Sequence, residues 1–159
     1  MPNRTTPNVD AAWAQLADED WKRILDPEQY RVARESGTER PFSGEYWKSE
    51  RAGRGVFKCV ACRAPLFTDE AKFFSACGWP AFNDDVSGKV SEHVDQSHGM
   101  VRTEVRCQTC DSHLGHVFND GPPPTGLRYC INSVSIVFDE DGSIDDAPLT
   151  PEERLSQSN

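Results

Sequence analysis

The sequence predicts a mainly β protein, on three observations. Residues 101–107, Val-Arg-Thr-Glu-Val-Arg-Cys, alternate apolar and charged side chains as a half-buried strand does. Residues 55–60 form a second short strand, and both strands run into a Cys-x-x-Cys pair. Helix signals, by contrast, are confined to the N-terminal part, before residue 40.

Taken in order, residues 1–20 are polar and then briefly Ala-rich, and read as a mobile tail leading into a short helix. Asp26-Pro27-Glu28 starts a further helix, since Asp caps and Pro is tolerated at the first helical position. Gly37 is expected to close it as a C-cap. Residues 127–138 read as a strand pair or one bulged strand, preceded by a rigid loop, Gly121-Pro-Pro-Pro-Thr-Gly126. The acidic, Ser/Pro-rich residues 140–159 are expected to be a solvated tail, leaving 21–139 as the one domain. A chain of 159 residues is long enough for a real core.

Composition excludes some functions. The net charge of −9 repels phosphate backbones, so no nucleic-acid partner is expected. No run of about 18 apolar residues exists to span a membrane. The first ten residues lack the apolar core of a secretion signal, so a cytoplasmic location is expected.

Six cysteines sort by spacing. Cys59 and Cys62 form one close pair, and Cys107 and Cys110 another. Two such knuckles supply four thiolates, the full ligand set of a structural zinc ion (Zn2+). The insertion between them is longer than the roughly 15–20 residues of common zinc ribbons, so it must fold out and return. Iron in the same ligands is an alternative. So is a thioredoxin-type redox pair, although neither pair precedes a clear helix.

Cys77 and Cys130 have no near partner. On an extended strand, Arg128, Cys130 and Asn132 share one face while Tyr129 and Ile131 face a core. A cation beside a thiol raises the fraction of nucleophilic thiolate, which is small for a free cysteine with a pKa of about 8.5. The bland reading makes Cys130 a small buried hydrophobe. Cys77 lies in a small-residue loop followed by Trp79 and Phe82, which are either core or the wall of an apolar pocket. His113 and His116, three apart, point to opposite faces of a regular strand unless a bulge at Gly115 brings them together. They are candidates for acid–base work or for ordinary structural histidines.

Six segments carry a resemblance. They are Pro27-Glu-Gln-Tyr-Arg31, Gly37-Thr-Glu-Arg-Pro-Phe-Ser-Gly-Glu-Tyr46, Cys77-Gly-Trp-Pro80, Ser97-His-Gly-Met-Val-Arg-Thr-Glu-Val-Arg-Cys107, His113-Leu-Gly-His-Val-Phe118 and Gly126-Leu-Arg-Tyr-Cys-Ile-Asn-Ser133. In this order they resemble the B-type methionine-R-sulfoxide reductases. The resemblance implies two small antiparallel sheets with short N-terminal helices and a four-cysteine zinc site.

It also implies roles. Cys130 is the nucleophile and Cys77 the resolving thiol. His113, His116, Asp120, Arg128 and Asn132 are active-site positions. Trp79 contacts the substrate methyl group. Phe82 is a substrate-binding candidate only on the pocket-wall reading of its own segment. Cys59, Cys62, Cys107 and Cys110 hold zinc. The implied substrates are free methionine-R-sulfoxide or oxidised proteins, the reductant is thioredoxin, and the expected state is a monomer. Phe74 and Ala76 depart from the family's frequent Asp and Gly. Two rivals remain at this level: a zinc-stabilised binding module and a general disulfide oxidoreductase.

Overall fold

The computed structural model describes residues 9–48 and 50–157. Three short helices come first: α1 (Ala11–Ala14), α2 (Asp18–Ile24) and α3 (Pro27–Ala33). Nine strands follow: β1 (Val56–Cys59), β2 (Pro65–Thr68), β3 (Lys72–Phe73), β4 (Ala81–Phe82), β5 (Val90–Asp95), β6 (Arg102–Cys107), β7 (His113–Phe118), β8 (Arg128–Ile131) and β9 (Ile136–Asp139). A last helix, α4, spans Pro151–Gln157. The strands form two antiparallel sheets, one ordered β2-β1-β9 and the other β3-β4-β8-β7-β6-β5. The mainly β class and the two-sheet architecture are as expected.

Aromatic rings join the sheets. Phe57 of β1 meets Phe82 of β4 and Phe138 of β9, at 5.1 and 4.9 Å between centroids. Phe82 stacks on Phe67 of β2 at 4.4 Å, and Phe67 meets Tyr129 of β8 at 5.4 Å. Such pairs add roughly 0.5–1.5 kcal/mol beyond the area they bury. One strand from each sheet is therefore fixed against the other before any polar group contributes.

Helix α3 starts as the sequence indicates. Asp26 accepts from the Gln29 amide, and the Gln29 side chain accepts from the Asp26 amide, which completes a capping box. Its end differs. The helix stops at Ala33, and Ser36 rather than Gly37 takes the left-handed conformation. The Gly37 amide donates back to the Arg31 carbonyl, and a Cβ there would lie 2.6 Å from the Arg31 guanidinium. Glycine serves close approach at this position, not a positive φ.

Two further expectations are corrected. Residues 127–138 do not form a hairpin. A 3-10 turn, Ser133–Ser135, follows β8 and sends the chain into β9 of the other sheet. The segment after Asp139 is also no free tail. Lys58 reaches Asp139 and Asp146 at 2.9 and 3.0 Å, and α4 buries Pro151 and Arg154. Long-range contacts, invisible in an acidic composition, draw it onto the domain. At the other end residues 1–8 lie outside the described set, while Trp13 of α1 is buried against Trp21.

Candidate active site

The two knuckles have one backbone design. In the first, the Cys59 amide donates to Ala64 and the Arg63 amide to Cys59. In the second, the Cys107 amide donates to Ser112 and the Asp111 amide to Cys107. Arg63 and Asp111, each just after the second cysteine, are both left-handed. Facing each other, the knuckles bring four fully buried sulfurs within 4.8 Å of one another. Cys59 lies 3.6 Å from Cys110 and Cys62 lies 3.5 Å from Cys107. A tetrahedron with metal–sulfur bonds of about 2.3 Å has edges of about 3.8 Å. The four thiols therefore fit a metal ion closed to a fifth ligand.

Elsewhere on the six-stranded sheet the strand registers align one row of residues. Ala81 pairs with Cys130, Cys130 with His116, His116 with Glu104, and Glu104 with His93. Cys130 and His116 thus share a face as direct cross-strand neighbours. Tyr129 and Ile131 are buried on the opposite face, as the period-two argument requires.

A bulge completes the arrangement. The β6–β7 register passes from Val105↔Gly115 to Arg106↔His113, which leaves Leu114 as the extra residue. Both histidines consequently lie on the Cys130 side, their rings 5.6 Å apart. Gly115 is required beside the bulge, because a Cβ there would sit 2.0 Å from the Cys130 carbonyl oxygen.

Each histidine is held by a carboxylate. His113 Nδ1 is 2.7 Å from Glu104, and His116 Nε2 is 2.8 Å from Asp95. Glu104 also accepts from Arg106, which reaches Asp111 in the second knuckle. Charged β6 residues expected to face solvent are thus buried, and their mutual pairing makes that tolerable. Burial lowers the pKa of His116, with Asp95 opposing the shift. Burial works against the Asp95 charge too, but its hydrogen bonds to His116 and Ser97 prevail and hold its carboxyl far below the usual range.

Cys77 lies on the loop between β3 and β4, with its sulfur 3.6 Å from that of Cys130. Ser75 donates to the Cys77 sulfur at 2.9 Å. The two thiols share their protons. Accepting from Cys130, and then from Ser75, lowers the Cys77 pKa to about 5. The Cys130 thiol is pushed up, first by its bond to that neighbour and then by burial. Arg128 favours the thiolate on either sulfur and is itself held by both oxygens of Asp120, at 2.9 and 3.2 Å, and by the face of Phe118.

The remaining candidates divide. Trp79 is half-buried beside Cys77, and its indole N–H donates to the Glu39 carbonyl at 3.1 Å. Phe82 is a correction. It pairs with Tyr129, is 0% exposed, and faces the core rather than the thiols. Asn132 is placed next to the site but has its amide engaged elsewhere: it donates to the Leu114 carbonyl and accepts from the Glu39 amide. It fixes backbone around Cys130 instead of reaching the sulfur. Ser75, Asp95, Glu104 and Glu39 were not singled out from sequence. For Glu104 a signal existed, since alternation along 102–106 puts it on the face of Arg102 and Arg106. The others depend on pairings between distant segments. Two concavities of about 410 and 360 Å³ include neither thiol.

Fold and site together define a β protein in which a pair of adjacent thiols lies beside histidines that carboxylates orient. Comparison with known proteins gives the family. A SelR domain model matches residues 25–140. A peptide methionine sulfoxide reductase MsrB of Agrobacterium fabrum is 54% identical over 140 residues, covering 87% of this chain and 98% of that protein. One from Pseudomonas savastanoi pv. phaseolicola is 60% identical over 119 residues, with coverage of 74% and 89%. One from Thiobacillus denitrificans is 57% identical over 122 residues, with coverage of 76% and 91%. The chain belongs to the SelR-domain family of methionine sulfoxide reductases, and it is an oxidoreductase.

Proposed function

We propose that this protein reduces methionine-R-sulfoxide, free or within oxidised proteins, by a thiol cycle on Cys130 and Cys77. The observation that carries the reading is the 3.6 Å approach of the two sulfurs directly across the sheet from His116. Cys130, as thiolate, attacks the sulfoxide sulfur, and the proton it shared passes to Cys77. The sulfoxide oxygen is transferred to Cys130 and is protonated as it moves. His116, in register with Cys130, is the nearer acid, and His113 packs behind it. The thioether leaves, and Cys130 is a sulfenic acid. The Cys77 thiol then attacks that sulfur, forming the disulfide and releasing water. Thioredoxin, a dithiol, restores both thiols by exchange and takes up the disulfide.

The field of Arg128, fixed by Asp120, supports the negative charge that develops at Cys130 as its proton passes to Cys77. Trp79, anchored through Glu39, supplies the apolar wall that a methyl group fits. Zinc, when bound by Cys59, Cys62, Cys107 and Cys110, supplies structural cross-linking and no step of the reaction. The reading includes a cytoplasmic, monomeric enzyme. No helix among the described residues is long and apolar enough to cross a membrane.

The test uses the two resolved epimers of a capped methionine sulfoxide with dithiothreitol as reductant. The R epimer alone should be consumed. Consumption of neither by folded, metal-loaded protein would refute the reading and favour a binding module. Cys77→Ser should complete one turnover and then stall with thioredoxin, whereas sustained thioredoxin-driven turnover would remove the resolving role.

A further inference from the structure

The first knuckle is held from outside by a segment beyond the matched domain. The Leu149 amide donates to the Cys62 carbonyl at 2.7 Å, and the Leu149 carbonyl accepts from the Trp13 indole at 3.0 Å. Five residues later, on α4, Arg154, 6% exposed, turns its guanidinium onto the knuckle. Its Nε donates to the Ala61 carbonyl at 2.6 Å, and its Nη2 to Val60 and Ile24 at 3.4 and 3.3 Å. Val60 and Ala61 are the two residues between the paired cysteines. Carbonyls on all three positions after Cys59 are therefore tied to the C-terminal segment.

That segment is itself fastened. Thr150 and Glu153 cap α4 reciprocally, and Lys58 holds Asp146. The second knuckle has a counterpart in Arg34, which donates to the Cys110 carbonyl at 3.1 Å and rests on Trp21. Arg34 lies within the matched domain and Arg154 does not.

For a metal ion to leave, a knuckle must turn its sulfurs outward, and its carbonyls must turn with them. We propose that Leu149 and Arg154 form a latch which sets how fast a thiophilic cation such as Zn2+ leaves the four-cysteine site. This rests on reading those cysteines as a metal site. The latch holds the Cys59–Cys62 turn closed through its peptide carbonyls. Metal escape then requires α4 to lift first.

The experiment measures release of zinc from the full-length, zinc-loaded protein to an excess of chromophoric chelator. In the unaltered protein the rate should level off as chelator rises, at one ceiling for a small and a bulky chelator. Arg154→Ala should raise that ceiling about tenfold or more, as expected for loss of charged donors to backbone. Arg154→Lys, which keeps the charge but not the fork, should fall between. Val32→Ala, on α3 and fully buried, serves as the comparison for general loss of stability.

A rate linear in chelator for the unaltered protein overturns the latch. So does a wild-type rate in Arg154→Ala, or equal acceleration in Val32→Ala at a matched melting temperature. Should Arg154→Ala not fold, the ceiling in the unaltered protein and the Arg154→Lys rate still decide. Purified protein that holds no zinc and takes up none overturns both the latch and the metal reading, which separates the two failures.

Discussion

Asp95 governs what His116 can do. A histidine that must donate a proton is active below its pKa and fails as pH rises through it. Burial lowers the His116 pKa from its ordinary value, and the Asp95 carboxylate at 2.8 Å opposes that shift. Asp95→Asn should therefore move the alkaline limb of kcat/KM to lower pH. A displacement of about one unit cuts the rate about tenfold at a fixed pH on that limb. The check is a pH–rate profile of both proteins, and an unmoved limb would mean that His116 is not the acid. At this scale, the setting of Cys130 was legible from Arg128, Tyr129 and Ile131 alone, because period two is local. Asn132 was not, since the strand ends at Ile131 and the next side chain turns toward Leu114 and Glu39. Phe82 was ambiguous for a related reason: an aromatic residue near a cysteine reads alike in a wall and in a core.

Strand β7 shows how one element can carry both candidate acids and their spacing. Its bulge at Leu114 turns a three-residue separation into two histidines on one face, and its glycine lets β8 approach. Gly115→Ala would place a carbon 2.0 Å from the Cys130 carbonyl oxygen, so β7 and β8 must separate. The expected cost is about 3 kcal/mol, the upper range for overpacking, with loss of reductase activity from the displaced Cys130–His116 pair. Urea denaturation and a turnover assay measure the two effects, and an Ala variant of native stability would contradict the close approach. Elements such as β1 and β6 could be read directly, since each ends on a knuckle with a clear pattern. The partition of β8 and β9 between sheets could not. Apolar residues on both sides of Ser133–Ser135 suit a hairpin equally well, and only pairing with β1 assigns β9 its place.

Across the whole molecule, the four-cysteine cluster joins the first knuckle, at the end of β1 in one sheet, to the second, at the end of β6 in the other. Metal binding there is free energy of folding. Chelation of the bound metal is expected to lower the melting temperature by on the order of 10 °C or more, before catalysis is lost at a temperature where the apo protein stays folded. Thermal melts of metal-loaded and stripped protein check this, and identical curves would exclude a structural role. The spacing of the cysteines revealed this cross-link, whereas the docking of residues 140–157 stayed hidden behind their acidity. The β3–β4 hairpin has a different consequence, in the currency of competing rates. Its two short strands hold the Cys77 sulfur 3.6 Å from Cys130, so the thiol faces its target at an effective concentration far above the millimolar range of a flexible tether. On the proposed cycle, a sulfenic acid on Cys130 is captured before a peroxide molecule can carry it to the irreversible sulfinic state. The hairpin thereby protects the enzyme from the oxidants whose damage it repairs.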